Sequence, residues 1–495
     1  MNDLTASPLP ASLYTAACVR QMEHYAIETL GVPGQVLMER AGQSCFDHLR
    51  AAWPQARTLS VLTGAGNNGG DGFVIARLAH QAGWDVRVYP ASPPETLKAE
   101  AAVALQAYRA AGGSLVDFIP EDFEGAEILV DALLGTGITR PVEGFYADLI
   151  RATRRFRGKI VSVDIPSGLE ADTGAVLNGA VKADMTVTFI GLKRGLFTGQ
   201  GLEHCGRVVF SDLDLPPSAQ QGVSRSARLL PPLTRGLPRR LRHAHKGDFG
   251  HVLVVGGAEG YSGAARLAAE AAARVGAGLV SVATHPANAP LLNLGCPELM
   301  CHGIRHTDAL TPLLRSATVV VLGPGLRLSD WAYSLWEQVL KTDLPVVLDA
   351  DGLNFLSGHS AHRNHWILTP HPGEAARLLG MTSAEIQRNR YAAIQELQTT
   401  YGGVVVLKGS GSLILGEGGI PSVCTAGNPG MANGGMGDVL SGVIAGLIAQ
   451  DQDLFDAAEW GVRLHAAAGD TAAAAGERGL MARDLLVPLR QWVNA

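Results

Sequence analysis

The sequence predicts two α/β domains, each built on a largely parallel sheet, and three observations carry that reading. Short β-branched runs alternate with alanine-rich helical stretches in two separate series, the runs end in glycine-rich turns, and a stretch of different texture parts the series. The first series runs from Leu59 to about residue 215: LSVLTG, FVIARLAHQAG, DVRVYP, EILVDALLG, KIVSVDIPSG and MTVTFIG. The second begins at HVLVVGG and continues through the helix SGAARLAAEAAARVGAG, then LVSVAT, TVVVLGPG, PVVLDADGLN, WILTPHPGE and GGVVVLKGSGSLILGEGG. The last of these reads as two strands around a Gly-Ser turn. Between the series, residues 212–245 are rich in Pro and Arg and lack periodicity, which places the domain boundary there and gives domains of 1–220 and 221–495.

A chain of 495 residues is too long for one ordinary core, given domains of roughly 100–200 residues. With 47% hydrophobic and 17% charged residues and a mean hydropathy of +0.14, there is ample apolar material to bury. A net charge of -6 and a pI near 6.2 argue against a broad nucleic-acid footprint, so small molecules are the expected partners, with a homo-oligomer as the expected state. The start MNDLTASPLP has no basic segment leading into an apolar run, and no stretch approaches the ~18 apolar residues of a membrane span. Cys18, Cys45, Cys205, Cys296, Cys301 and Cys424 form no C-x-x-C pair, which suits free thiols and a cytoplasmic setting.

In the first half, T63-G-A-G-N-N-G-G-D-G72 follows a strand and opens a helix, and Gly64, Gly66 and Gly69 satisfy G-x-G-x-x-G. A dehydrogenase reading would find Asp85 at ribose distance, whereas a purely conformational reading needs the glycines only for a turn with φ > 0. Asn67, Asn68 and Asp71 point elsewhere. A carboxylate and two amides beside a helix N-terminus compete with phosphate for the backbone N–H groups, so this loop suits a cation or a polar substrate. Asp131 in V-D-A-L-L-G-T-G-I-T-R-P141, and Asp164 with Ser167 in V-D-I-P-S-G168, add oxygens of the kind a hard cation takes.

In this order, the three motifs resemble the NAD(P)H-hydrate epimerase family over about the first 215 residues, with a Rossmann-like three-layer αβα fold. The resemblance implies a potassium ion on Asn68, Asp131 and Ser167. It also implies hydrated cofactor against Asn67, Asn68, Gly69, Gly70 and Asp71, against Gly135, Thr136, Gly137, Ile138, Thr139, Arg140 and Pro141, and against Asp164. In that substrate a hydroxyl sits on the carbon beside the ring nitrogen. The carbon inverts if the hydroxyl leaves with help from the nitrogen lone pair and water returns on the other face. A carboxylate moving protons in both directions contributes roughly 10²–10⁴-fold. Asp164 is the candidate, with Lys193 in G-L-K-R-G195 as helper; a turn-capping role before Pro-Ser-Gly is the alternative for Asp164.

In the second half, A426-G-N-P-G-M-A-N-G-G-M-G-D-V-L440 leads five glycines into a helix, an anion cradle suited to phosphoryl transfer. Asp438 opens that helix and is placed to take a proton from a substrate hydroxyl, or else simply caps it. K408-G-S-G-S412 offers a Lys and consecutive N–H groups, and T-P-H371-P-G-E374 sets a His and a Glu at the mouth of the same sheet, with Glu374 suited to a helix first turn. V-L-G-P-G325 and L-D349-A-D-G-L-N354 add turns and carboxylates of the type that hold magnesium and nucleotide.

This set resembles the ribokinase-like superfamily and, more narrowly, the ADP- or ATP-dependent NAD(P)H-hydrate dehydratases. The narrower resemblance rests on H-K-G-D-F-G250, Y-S-G-A-A265, G-P-G-L326, T-P-H-P-G-E374, K-G-S-G-S412 and N-G-G-M-G-D438, over about residues 225–495. It implicates Ala264, Gly325, His371 and Asp438 in binding hydrated cofactor. Lys408, Gly409, Ser410, Gly411, Ser412 and Gly437 are implicated in nucleotide binding, with ADP or ATP and Mg2+ as cofactors. Together the two resemblances imply a repair enzyme: the first domain interconverts the R and S hydrates, and the second dehydrates the S form by phosphorylation and phosphate elimination. The rival is a small-molecule kinase fused to a non-catalytic dinucleotide module. His243, His245 and His251 suggest a metal cluster only by number and read as residues of a solvated or substrate-facing loop. The basic stretch Arg235 to Lys246 reads as a solvated linker.

Overall fold

The computed structural model describes residues 9–97, 99–118, 123, 125–359 and 361–495. The first eight residues, on which the reading of the chain's start falls, lie outside them. The chain forms two compact units, Met1–Leu229 and Leu230–Ala495.

The first unit holds β1 (Ser12–Tyr14), β2 (Thr58–Thr63), β3 (Asp85–Pro90), β4 (Ile128–Ala132), β5 (Lys159–Val163), β6 (Met185–Phe189), β7 (Leu192–Lys193), β8 (Arg207–Ser211) and β9 (Ala227–Leu229). Six of these make a fully parallel sheet in the order β3-β2-β4-β5-β6-β8. Its central strands are near-continuous apolar runs because both faces are covered. Helices Gly34–Ala52 and Asn67–Gln81 pack on one face, around Leu37, Phe46, Val61, Phe73 and Val130. Leu62, Leu129, Leu149 and Ile160 form a second core on the other. The chain runs from β2 to β3 on one side and then returns to β4 on the other, so the crevice between the carboxyl ends of β2 and β4 is a topological switch point. Three short strands pair in the order β9-β1-β7 and fix the segment that carries Lys193.

The second unit holds β10 (His251–Val255), β11 (Leu279–Thr284), β12 (Met300–Gly303), β13 (Val319–Leu322), β14 (Val346–Leu348), β15 (Trp366–Leu368), β16 (Val404–Leu407), β17 (Ser412–Leu415) and β18 (Ser422–Cys424). Their order is β12-β11-β10-β13-β14-β15-β16-β17-β18, parallel through β16 and antiparallel beyond it. Helices Ser262–Val275, Met436–Ile448 and Leu454–Ala472 bury an Ala, Val and Leu core against it. Gly442 lets the first two pack closely, since a Cβ there would lie 2.0 Å from the Ala268 carbonyl oxygen, and this contact fixes where the helix N-terminus bearing Asp438 sits. The switch point falls between β10 and β13.

Three expectations need correction. The glycines of G-x-G-x-x-G do not serve positive φ: none of Gly64, Gly66 and Gly69 adopts it. Gly64 is required by proximity instead, because a Cβ would lie 1.8 Å from the Leu133 carbonyl oxygen across the switch point. Asp85 is exposed at the amino end of β3, the far end from that crevice, which removes the ribose contact of the dehydrogenase reading. His251 is not a loop residue. It begins β10, is buried, and lies 2.8 Å from Ser281 Oγ and 3.1 Å from the Ser316 carbonyl oxygen. Within the basic linker, Arg240 stays exposed while stacking on Phe249 at 3.5 Å and donating to the Gly276 carbonyl. Among the described residues, no helix is long and apolar enough to cross a membrane.

Candidate active sites

At the first switch point a cavity of about 570 Å³ opens between the ends of β2, β4 and β5 and the helices Ala16–Glu28 and Gly34–Ala52. Asn67, Asn68, Asp71, Gly135, Thr136, Gly137, Ile138, Asp164 and Lys193 line it. Thr139, Arg140 and Pro141 continue the β4 turn outward and are exposed. Gly69 and Gly70 are spent on packing: a Cβ on Gly69 would lie 1.9 Å from the Gly64 carbonyl oxygen, and one on Gly70 2.4 Å from Met38 Cε.

Asp164 sits in the turn after β5 with φ +65°, a left-handed conformation that Asp tolerates better than most residues. Its Oδ1 accepts from the Lys193 ammonium, from Thr188 Oγ1 at 3.2 Å and from the Phe189 N–H at 3.2 Å. Lys193 is buried and also donates to the Phe189 carbonyl at 2.8 Å, so the pair is held rigidly with Asp164 facing the cavity. On another wall, Asp71 is nine-tenths buried and has no hydrogen-bond or ionic partner among the described residues. Burial, then the charges of Asp164 and Glu23, raise its carboxyl well above the ordinary range.

Asp131 is fully buried and saturated with donors: Ser162 Oγ at 2.8 Å, the Ser167 N–H at 2.8 Å, Ser167 Oγ at 2.5 Å and the Leu133 N–H at 3.4 Å. Burial raises its pKa, and no Lys, Arg or His pairs with it among the described residues. Asn68 Nδ2 donates to the Leu134 carbonyl at 3.2 Å, and the Leu134 N–H donates to Ser167 Oγ at 2.9 Å. Asn68, Asp131 and Ser167 are thereby drawn around one peptide. A buried carboxylate without a cation, ringed by neutral oxygens, is a donor set that fits a monovalent hard cation.

In the second unit the charged groups converge. Lys408, at the end of β16, reaches Asp349 Oδ1 at 2.7 Å and Glu374 Oε2 at 3.8 Å. Burial works against its ammonium, but the two carboxylates outweigh it and the pKa ends above the usual lysine value. Gly437 lies against the same ammonium, 3.0 Å from where its Cβ would be. Next to it Asp438 stands in the first turn of Met436–Ile448, its pKa pushed up to about 7 by burial first and by the charge of Asp349 second. His371 caps helix Pro372–Leu379, its Nδ1 accepting from the Gly373 and Glu374 N–H groups at 2.9 and 3.3 Å. Burial and the nearby Lys408 lower its pKa, so the ring is neutral and carries its proton on Nε2, 3.5 Å from Glu374. Glu374 returns the cap by accepting from the His371 N–H at 2.8 Å, the first-turn placement its sequence position suggested.

Ala264 and Gly325 meet at the second switch point, where a Cβ on Gly325 would lie 3.1 Å from that of Ala264. Residues 408–412 form the hairpin turn between β16 and β17, with Ser412 Oγ accepting from the Gly409 N–H at 3.3 Å.

Two participants escaped the sequence reading. Glu23, on helix Ala16–Glu28, lines the first cavity with its pKa raised by burial. Arg390 is fully buried behind the 408–412 turn, donating to the carbonyls of Leu407, Lys408 and Gly411 at 3.1, 3.3 and 3.4 Å. Neither lies in a local motif. Arg390 is legible only as a charge on an otherwise buried helix face, and Glu23 carries no sequence signal.

Each unit matches a known protein family. The profile of the NAD(P)H-hydrate dehydratase family matches residues 252–489, and that of the YjeF-related protein N-terminus matches residues 34–195. The chain is 51% identical to the bifunctional NAD(P)H-hydrate repair enzyme Nnr of Coxiella burnetii, over 97% of this chain and 99% of that one. It is 42% identical to the Nnr protein of Escherichia coli, over 98% and 95%. A solved ribokinase-like superfamily protein from Enterococcus faecalis matches with a TM-score of 0.50 and 30% identity, covering 55% of this chain and 98% of its own. The chain belongs to the family of bifunctional NAD(P)H-hydrate repair enzymes.

Proposed function

We propose that the first unit inverts the hydroxyl-bearing carbon of hydrated NADH and NADPH and that the second removes the hydroxyl as phosphate, returning the reduced cofactor. The observation that carries the second step is Asp438: a carboxyl with a pKa of about 7, beside a glycine-rich helix N-terminus and a lysine clamped by two carboxylates. A base poised near neutrality is suited to taking the substrate's hydroxyl proton as the oxygen attacks a phosphoryl group of ADP or ATP, with ADP the expected donor. The 408–412 turn and the first turn of helix Met436–Ile448 offer N–H groups to the phosphates, and Lys408 offers its charge. Magnesium, when bound, neutralises phosphate charge, and Asp349 is the carboxylate that would face it. The ring nitrogen's lone pair then expels phosphate, a far better leaving group than hydroxide.

In the first unit, Asp164, positioned by Lys193, handles the proton of the departing or returning hydroxyl. The buried Asp131 supports a potassium site with Asn68 and Ser167, which would fix the β4 turn against the substrate. Six free cysteines support a reducing, cytoplasmic setting. The test supplies purified protein with ADP or ATP, magnesium and a mixture of both hydrate epimers, and follows NADH absorbance. Complete recovery is expected. Phosphorylation of an unrelated alcohol with the hydrates left untouched would overturn the reading.

A further inference from the structure

We propose that Asp71 is the second catalytic acid of the inversion, working from the cavity wall across from Asp164, so that one carboxyl serves each face of the ring. The inference rests on the epimerase reading above and deepens it. Inversion obliges the hydroxyl to leave from one face and water to add to the other, and a single carboxyl cannot reach both. The cavity supplies two, from separate elements. Asp164 projects from the turn after β5, and Asp71 from the helix that follows β2; the β4 turn, Leu133 to Ile138, lies between them. Both carboxyls border the same cavity, within electrostatic reach of each other.

Their surroundings differ. Asp164 accepts from an ammonium and two further donors. Asp71 is nine-tenths buried with no hydrogen-bond or ionic partner among the described residues, and burial, then the charges of Asp164 and Glu23, favour its protonated form. A carboxyl left unpaired in the same cavity as one clamped by an ammonium suits the acid beside the base. In one pass Asp71 gives its proton to the hydroxyl, the C–O bond breaks, water departs, and the nitrogen lone pair forms a C=N bond. A second water adds to that carbon on the Asp164 face, and its proton goes to the Asp164 carboxylate. The reverse pass runs the same steps with the roles exchanged; before another pass in the same direction Asp164 releases its proton to solvent and Asp71 takes one up, so nothing is oxidised or consumed.

The test uses the full-length chain without nucleotide in ¹⁸O-labelled water, following inversion and label entry separately in each epimer. The unsubstituted protein is expected to invert with one solvent oxygen gained per event. Asp71→Asn should lose inversion by about 10²-fold or more, yet retain label exchange without inversion in the epimer whose hydroxyl faces Asp164. Asp164→Asn should retain it only in the other epimer. Thermal unfolding of each variant checks the fold, and Asp71→Ser replaces Asp71→Asn if the amide unfolds early. Loss of exchange in both epimers in a folded Asp71 variant would make the residue structural. Inversion within about threefold of the unsubstituted protein would make it a bystander. If the unsubstituted protein neither inverts nor exchanges, the epimerase reading itself fails.

Discussion

The two units place their sites at the same point of the same architecture and then load them with opposite electrostatics. In each, a glycine at the end of the first central strand presses on the backbone that follows its neighbour. A Cβ on Gly64 would lie 1.8 Å from the Leu133 carbonyl oxygen, and one on Gly256 2.2 Å from that of Pro324. In the first unit the acids that line the cavity are spread over separate walls, and among the described residues Asp164 alone of them holds a lysine. In the second, Asp349, Glu374 and Asp438 crowd one lysine. Dispersed acids suit proton transfer on two faces of a neutral ring, whereas a crowded acidic cluster suits a cation-bearing phosphate donor. The fold supplies the crevice, and the charges decide the chemistry.

The largest expected effect separates the units outright. Asp438→Asn should lower dehydration by about 10²–10⁴-fold while inversion, read by chromatography of the epimers, stays unchanged. Equal loss of both would merge the sites into one. Next, Lys408→Met leaves Asp349 and Glu374 without their cation and should cost on the order of 3 kcal/mol of stability in the second unit, together with nucleotide binding. Thermal unfolding should show this loss in the second unit, which holds both Asp349 and Glu374.

A pH titration sharpens the contrast further. Dehydration should fall as pH drops through about 7, because Asp438 must be ionised to act as a base. Its folded pKa lies above the ordinary value of 3.8, so between 3.8 and about 7 the folded state holds the extra proton and stability declines as pH rises through that window. Asp438→Asn should therefore stabilise the protein, by on the order of 1 kcal/mol at pH 8 and by less at pH 5. The smallest effect is expected from Arg390→Lys, which keeps the charge but loses the fork that gathers three carbonyls. It should raise the nucleotide KM about fivefold and leave inversion untouched.

Much of this was legible in the sequence because parallel α/β sheets advertise themselves: buried strands read as continuous apolar runs, and turns at their carboxyl ends read as glycine clusters. Asp164, Asp131, Lys408 and Asp438 could be named because each sits in or beside such a turn. The rest was hidden for physical reasons. The role of Gly64 depends on a backbone 69 residues away in sequence rather than on its own φ, so the turn-chemistry reading failed. His251 looked like a loop residue because a basic linker precedes it, yet burial in β10 decides its environment. Glu23 and Arg390 come from helices with no motif and reach their sites only through tertiary packing. The short strands β1, β7 and β9, of two or three residues, fall below what periodicity can register.

The central claim is that two separate sites act in series, and complementation between variants tests it most directly. Asp164→Asn protein, given ADP or ATP and magnesium, should restore NADH from the pure S hydrate at the unsubstituted rate. From the pure R hydrate it should do so only as fast as uncatalysed inversion allows. Adding Asp438→Asn protein should bring the R hydrate back to nearly the unsubstituted rate. Failure of that addition to rescue, or loss of S-hydrate dehydration in the Asp164 variant, would contradict the account.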